Sequence, residues 1–348
     1  METYIGFDIS LQTTHICVVD RDGGIVLESS AESEIPSLER WLCTHGCSWT
    51  IKRIVFETGQ LSTHIYHGLK AAGHPVVCID ARHAHGTLKA QRIKSDRNDA
   101  RGLAHIARTG WFKASHVKSD SCQALRTLVT GRKQLVHTRL SLENHIRGTL
   151  KTFGIKLGAV TSAGFSKKVR GLISGRDEVV EIALSAMLDA RDGVWAQERA
   201  LDRQSQKRAR RDVVCKRLMT IPGVGVATAL AFMAEIDDPG RFKHSRDVGV
   251  HLGLTPRRYA SGEVDYTGRI SKCGNGTLRT LLFEAAAVML TRSAKWSRLK
   301  AWGVRLAQRS SFKAACTALA RKLAVVMHRM WVDETEFAYG QAPSLQAA

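Results

Sequence analysis

Three short runs rich in Ile, Val and Phe, at residues 3–9, 14–20 and 25–29, are separated by turn-forming residues such as Asp22-Gly23-Gly24 and predict a three-strand meander. A helical stretch runs from Ser37 to Cys43. Ile51–Phe56 and Pro75–Ile79 then read as buried strands, with an amphipathic helix between them that carries Ile65, Leu69 and Ala72 on one face. Three strands followed by alternating helix and strand predict an α/β domain over residues 1–115, a mixed sheet covered by helices. From Asp120 to Leu218 the pattern changes to long helices, with Leu125, Leu128, Leu135, Leu142 and Ile146 at near-heptad spacing and basic residues between them. Gly154–Ser166 interrupts the run, and a second helical stretch over Val179–Arg217 contains QKRARRD. Residues 116–217 therefore read as a helical hairpin or coiled-coil-like middle, suited to dimerisation or to spanning nucleic acid. Residues 218–332 read as a mainly α region, and 333–348, acidic and then small and polar, as a loose tail.

Four carboxylates in the first hundred residues change the picture: Asp8 in YIGFDIS, Glu57 in IVFETG, and Asp96 and Asp99 in KSDRNDA. Asp8 follows apolar residues inside a strand, where an uncompensated carboxylate is costly. Glu57 ends the fourth strand, and neighbouring strand ends are where ligands collect in such sheets. Asp96 and Asp99 stand three apart on a helix reaching Arg108, which puts both on one face. A ribonuclease-H-like fold would bring all four to one point, where they would hold two divalent cations, Mg²⁺ or Mn²⁺, for phosphodiester chemistry. Taken singly, each acid has a plainer reading; Asp96, for example, would serve as a helix N-cap. An actin-like or sugar-kinase ATPase also opens on an Asp after a strand, but no later Gly-rich phosphate loop accompanies it here. His83 and His85 read as part of a solvated loop. Cys43 and Cys47 flank His45 without a second ligand pair at zinc spacing, and the eight scattered cysteines fit a reducing cytosol.

The charge points to the partner. The chain of 348 residues carries a formal net charge of +20. Residues 1–115 hold 13 Lys and Arg against 12 Asp and Glu, whereas residues 116–348 hold 39 against 20. A neutral, acid-bearing domain joined to a strongly basic remainder is expected of a protein that cuts nucleic acid, the basic part holding phosphates. No long apolar span or signal-peptide pattern accompanies the charge, so a soluble cytoplasmic protein without a membrane partner is expected.

Two motifs mark the basic part. In Ile221-Pro222-Gly223-Val224-Gly225 an apolar helix follows a glycine pair, as in a helix-hairpin-helix element whose backbone amides grip a phosphate; Gly223 and Gly225 otherwise simply close a tight turn. In HLGLTPRRYASGEVDYTGRISKCGNGTLRTLL, Ser261 lies behind Arg257 and Arg258 and ahead of Arg269, Lys272 and Arg279. A serine hydroxyl is a weak nucleophile at neutral pH that becomes useful against a phosphodiester when cations stabilise the developing charge. From composition alone Ser261-Gly262 reads as an ordinary turn.

FDIS, FETG and KSDRNDA, followed by IPGVG, GLTPRRYASG and SKCGNGTLRTLL, resemble in order and spacing the transposases of a large family of bacterial insertion sequences. That family is related to the Piv-type DNA invertases and combines a RuvC-like DEDD domain with a serine-bearing transposase domain. The resemblance covers nearly the whole chain. It implies that Asp8, Glu57, Asp96 and Asp99 bind metal and that Ser261 is the covalent nucleophile, with Ser271 a competitor for the role. It implies donor and target DNA as substrates, a noncoding bridge RNA as guide, and a homo-oligomer, a dimer assembling to a tetramer on DNA, working at the bacterial nucleoid. Many relatives carry GHxxLR where this chain has Gly274-Asn275-Gly276-Thr277-Leu278-Arg279, so a histidine is absent at Asn275. The alternative is a DEDD metal-dependent nuclease or junction resolvase that hydrolyses DNA without the serine.

Overall fold

A computed structural model describes residues 1–89 and 94–340. The chain divides into two compact units, Met1–Lys118 and Ser119–Ala348.

The first unit opens with the expected meander, β1 (Glu2–Ile9), β2 (Thr13–Asp20) and β3 (Ile25–Glu32), and continues through α1 (Ile35–Gly46), β4 (Thr50–Glu57), α2 (Ser62–Ala71), β5 (Val76–Ile79), α3 (Ala81–Leu88) and α4 (Asp96–Thr109). The strands form one mixed sheet in the order β3-β2-β1-β4-β5, with β4 parallel to both β1 and β5 and the meander antiparallel. Strand side chains alternate between faces. Ile5, Phe7, Ile54 and Phe56 pack in the core that includes Leu38 and Leu42 of α1 and Ile65 and Leu69 of α2. The opposite parity belongs to α4, where Val55 meets Leu103 and Cys17 and Val19 meet Ala100 and Ala104.

Gly6 has a specific reason to be glycine. A Cβ there would stand 2.2 Å from the Ala100 carbonyl oxygen and 2.3 Å from the Ala104 amide nitrogen, so α4 lies directly on the backbone of β1. The start of α4 is pinned as well: Glu28 of β3 accepts from Arg97 Nε and Arg101 Nη2, each at 2.9 Å. These two guanidinium groups hold the Glu28 carboxyl well below the usual range.

The second unit is mainly helical: α5 (Asp120–Thr152), α6 (Phe165–Ile173), α7 (Glu178–Arg211), α8 (Val213–Leu218), α9 (Val226–Ile236), α10 (Arg246–His251), a hairpin of β6 (Pro256–Ser261) and β7 (Val264–Ile270), then α11 (Gly276–Thr291), α12 (Arg298–Arg309) and α13 (Phe312–Val332). α5 and α7 pack side by side over most of their length, and α6 closes their far end around Phe165, Val169, Leu184 and Leu188. Their near end does not stand apart from the remainder, because Leu125 and Ala209 belong to the same core as α9, α11 and α13.

The seam of this helical pair departs from the leucine heptad. Leu128, Leu135 and Leu142 are only half-buried, whereas Arg139, Glu143, Arg191 and Glu198 are buried between the helices. Arg139 Nε donates to Glu198 at 2.6 Å, and Glu143 Oε1 accepts from Arg139 at 3.1 Å and from Arg191 at 2.9 and 2.6 Å. Opposite charges on facing helices satisfy one another, which lets charged residues occupy positions that hydropathy assigns to leucine.

The tail reading also changes in part. Phe337 packs against the core of the second unit and its amide donates to Thr220 Oγ1 at 3.0 Å, so residues 333–340 are tied down; residues 341–348 lie outside those described. Among the described residues no helix is long and apolar enough to cross a membrane, and none of the eight cysteines forms a disulfide.

Candidate active site and comparison with known proteins

Strand parity aims the first two acids. Asp8 shares the face of Gly6 and Glu57 that of Val55, so both carboxylates project from the α4 side of the sheet. They also stand side by side, because Phe7 pairs with Phe56 in the parallel β1–β4 ladder and each acid follows at the C-terminal end of its strand. α4 supplies the others. Ser95 caps the helix by accepting from the Asn98 amide, which starts the first turn at Asp96 and puts Asp99 one turn on. Two acids in that turn also suit the positive end of the helix dipole.

Asp8, Glu57 and Asp99 line one cavity of about 410 Å³. Asp96 does not line it and is more exposed, with a carboxylate oxygen 3.7 Å from His15 Nε2; His15 is the cross-strand partner of Asp8. The other three acids act on Asp8. Burial, and then the charges of Asp96, Asp99 and Glu57, push the Asp8 carboxyl up to about 6. Burial and Asp99 likewise raise Glu57, an effect that Lys94 and His85 oppose.

Lys94, Lys89 and His85 complete the cavity wall. The loop reading of the two histidines is therefore corrected: both lie on α3, which Asp80 caps by accepting from the Arg82 amide, and His85 faces the acids. α3 is short and has a single buried residue, Ala84, so no apolar stripe announced it in the sequence. Among the described residues no three His, Cys, Asp or Glu side chains stand close enough to hold a metal ion on their own. The site is an open, acid-lined cavity of hard oxygen donors. Such a donor set fits Mg²⁺ or Mn²⁺, because Mg²⁺ keeps several waters and shares its shell between one or two carboxylates and substrate phosphates.

Ser261 lies in the second unit, at the exposed tip of the β6–β7 hairpin, where it pairs with Val264 and is followed by Gly262 at φ +56°. The surrounding basic residues divide into two kinds. Arg269 and Lys272 are exposed. Arg257 donates to the Ser271 carbonyl at 3.1 Å and Arg258 forms a cross-strand ion pair with Asp265 at 2.5 Å. Arg279 is directed inward, its Nη1 donating to the carbonyls of Leu252, Cys273 and Gly274 at 3.1, 2.6 and 3.1 Å.

The feet of this hairpin are held by a residue that the sequence reading passed over. Glu235 on α9 is 7% exposed; His251 Nε2, at the end of α10, lies 3.0 Å from its Oε1 and Asn275 Nδ2 donates to its Oε2 at 3.0 Å. Asn275 also caps α11 by accepting from the Thr277 and Leu278 amides. One carboxylate thus joins the chain before β6 to the chain after β7. Replacing Glu235 with Gln leaves buried donors poorly matched, at about 1–3 kcal/mol. The Ser271 and Lys272 amides, which bond to Thr255 and Gly253 across the hairpin base, are therefore expected to exchange hydrogen at least about fivefold faster in Glu235→Gln. Unchanged exchange by mass spectrometry would remove Glu235 as the clamp.

The glycine pair is likewise partly structural. Gly223, at φ +88°, packs so that a Cβ would lie 2.3 Å from the Ala285 carbonyl, whereas exposed Gly225 is the N-cap of α9.

Comparison with known proteins decides the family. Residues 5–155 match the DEDD transposase profile of IS110-type elements, and residues 215–301 match the transposase profile of the IS116/IS110/IS902 family. A Sinorhizobium fredii protein that bears a transposase name is 30% identical over 300 residues, covering 83% of this chain and 76% of its own. This chain belongs to the IS116/IS110/IS902 transposase family. It is similar also to the transposase of insertion element IS1111A from Coxiella burnetii, 27% identical over 97% of this chain and 91% of that one. The pilin gene-inverting protein of Moraxella lacunata is 22% identical over 83% of each chain, so relatives of the Piv type are present as well. As an IS110-family member the protein is an insertion-sequence transposase, an enzyme of DNA transposition. Both matched regions carry residues described above: the acid cavity falls within 5–155, and the glycine turn, the Glu235 clamp and Ser261 fall within 215–301.

Proposed function

We propose that this transposase cuts and exchanges DNA strands by attack of the Ser261 hydroxyl on a phosphodiester at the element boundary, with Asp8, Glu57, Asp96 and Asp99 holding Mg²⁺ or Mn²⁺ in a RuvC-like domain. The observation that carries the reading is the convergence of Asp8, Glu57 and Asp99 on one cavity, with Asp96 near enough to shift Asp8. When bound, the cations would supply Lewis-acid stabilisation of the phosphoryl oxygens. Ser261 Oγ forms a bond to phosphorus as the bond to the leaving sugar oxygen breaks. The serine proton passes to water at the exposed hairpin tip, and the leaving oxygen becomes a free hydroxyl. The phosphoserine ester keeps the energy of the broken bond, so a hydroxyl of the exchanged strand can displace the serine and reseal the DNA without an external energy source.

Family resemblance further supports a bridge RNA that pairs with donor and target DNA, so that base pairing rather than side chains carries sequence specificity. It also supports a dimer that assembles to a tetramer on DNA, in which the acids of one subunit serve the serine of another and the helical middle joins the subunits. Exposed Arg269 and Lys272, together with Arg257, supply phosphate contacts, Gly225 offers helix N-terminal amides, and Arg279 shapes the hairpin that carries the serine.

The decisive experiment incubates the protein with Mg²⁺, RNA from the ends of its element and matching donor and target DNA. A detergent-stable protein–DNA adduct is expected in the wild type and not in Asp8→Ala or Ser261→Ala. A second reading, hydrolysis by the acids alone, is favoured by the fact that the acid cavity is complete within the first unit. Cleavage without an adduct, persisting in Ser261→Ala, would establish it instead.

A further inference from the structure

We infer that the groove between the β6–β7 hairpin and helices α12 and α13 holds an unpaired DNA strand. The groove encloses about 1290 Å³ and lies wholly within the second unit. Five cations line it, Arg269 and Lys272 from the hairpin side and Lys313, Arg321 and Lys322 from α13, with no acidic side chain among the lining residues described. Its floor is apolar and includes the Trp302 indole, Ile270 and Val326.

These two features together select the occupant. A cationic rim suits any phosphate backbone, but duplex DNA keeps its base faces stacked inside and has no use for an apolar floor. A strand whose bases are unstacked uses both: the faces of its bases lie on an aromatic platform and its phosphates meet the rim. An acidic amphipathic peptide would match the charge, but it would not account for the position of the groove beside the hairpin of a DNA transposase. Lys322 Nζ stands 4.0 Å from the Trp302 ring centroid, a cation–π pair. A base entering the groove takes the place of the ammonium over the ring and releases it to a phosphate, so one pair of side chains serves stacking and charge in turn.

The groove also has a fixed relation to the serine. Pro256 and Ile270, paired at the hairpin base, border it, while Ser261 ends the same strand five residues on. At about 3.3 Å per residue that is roughly 16 Å, or at most about five nucleotides, because about 3.4 Å is the rise of a stacked strand and an unstacked one extends further. A strand running from the cut phosphate along the hairpin therefore enters the groove within about five nucleotides. This placement rests on the Ser261 reading, whereas strand binding in the groove does not.

The test is the affinity of the full chain for a fluorescent twelve-residue thymidine strand, read by anisotropy across a KCl series without divalent metal, so that no cleavage intervenes. Compared with it are a hairpin duplex and a twelve-residue uridine strand. The DNA strand should bind most tightly. Lys313→Ala with Lys322→Ala, both exposed positions, should reduce the slope of log K against log salt by about 1.4, at about 0.7 per phosphate contact. Trp302→Ala should weaken binding about tenfold, in line with the stacking of one base, and Trp302→Phe should restore it. An unchanged affinity and slope in the double lysine variant, or tighter binding of the duplex, would overturn the proposal. Tighter binding of the uridine strand with the same lysine dependence would overturn the assignment to DNA.

Discussion

Asp8→Asn is expected to make the metal-free protein more stable while abolishing adduct formation. In the wild type the Asp8 carboxyl titrates near 6, against an ordinary value of 3.8, chiefly because it is buried and then because three other carboxylates face it. The sign follows from linkage. Between about pH 4 and pH 6 the folded chain holds a proton that the unfolded chain has released, so stability falls as pH rises through that window, and the whole penalty is present at pH 7. A shift of this size in a half-buried group, discounted for solvent screening, amounts to about 1–2 kcal/mol. An amide in place of the carboxylate would remove the charge and with it the penalty. Mg²⁺ should therefore raise the melting temperature of the wild type at pH 7 by several degrees and leave that of Asp8→Asn unmoved. A melt of both proteins with and without Mg²⁺ checks all of this. If Asp8→Asn melts below the wild type in chelator, or still responds to Mg²⁺, the acids do not form one cation site.

The second large effect belongs to the helical middle. Glu143 is the acceptor at the centre of the buried network, so Glu143→Ala leaves Arg139 and Arg191 short of a charge partner in a site where Arg191 is fully buried. Breaking a buried pair on one side costs about 3–5 kcal/mol. Among the described residues Arg191 would keep hydrogen bonds to Asp192 and the Ser162 carbonyl and its cation–π contacts with Phe165 and Trp195, and Arg139 its bonds to Glu198. Urea unfolding should register the loss as a lowered midpoint. Replacing Arg139, Glu143, Arg191 and Glu198 together with apolar residues of similar volume should instead be neutral or stabilising. A loss below about 1 kcal/mol in Glu143→Ala would mean that solvent reaches the network.

Much of the acid site was legible from residue pattern. Strand periodicity placed Asp8 on the first strand and Glu57 at the end of the fourth, and the ladder shows that both share the face of Gly6 and Val55. What the pattern lacked was the third dimension: only the path of α4 across β1 explains Gly6, and only the placement of α3 makes His85 a neighbour of Glu57. In the second unit the first long helix was readable from its near-heptad leucines and the second as a helical stretch, but their seam was not, because hydropathy cannot see a charge pair on a facing helix. Asn275 shows the same limit. Its local sequence is that of a helix cap, and its bond to Glu235, forty residues earlier, depends on how α9 and α11 meet.

The buried charges between α5 and α7 have a mechanical consequence. Sliding one helix along the other by a turn would separate Arg139 from Glu198 and Arg191 from Glu143, so the buried cross-helix pairs favour a single register. A helix of 33 residues is then a strut about 50 Å long whose far end, closed by α6, keeps a fixed distance from the core at its root. A force applied at the tip of this strut would be carried to the core of the second unit through those cross-helix pairs.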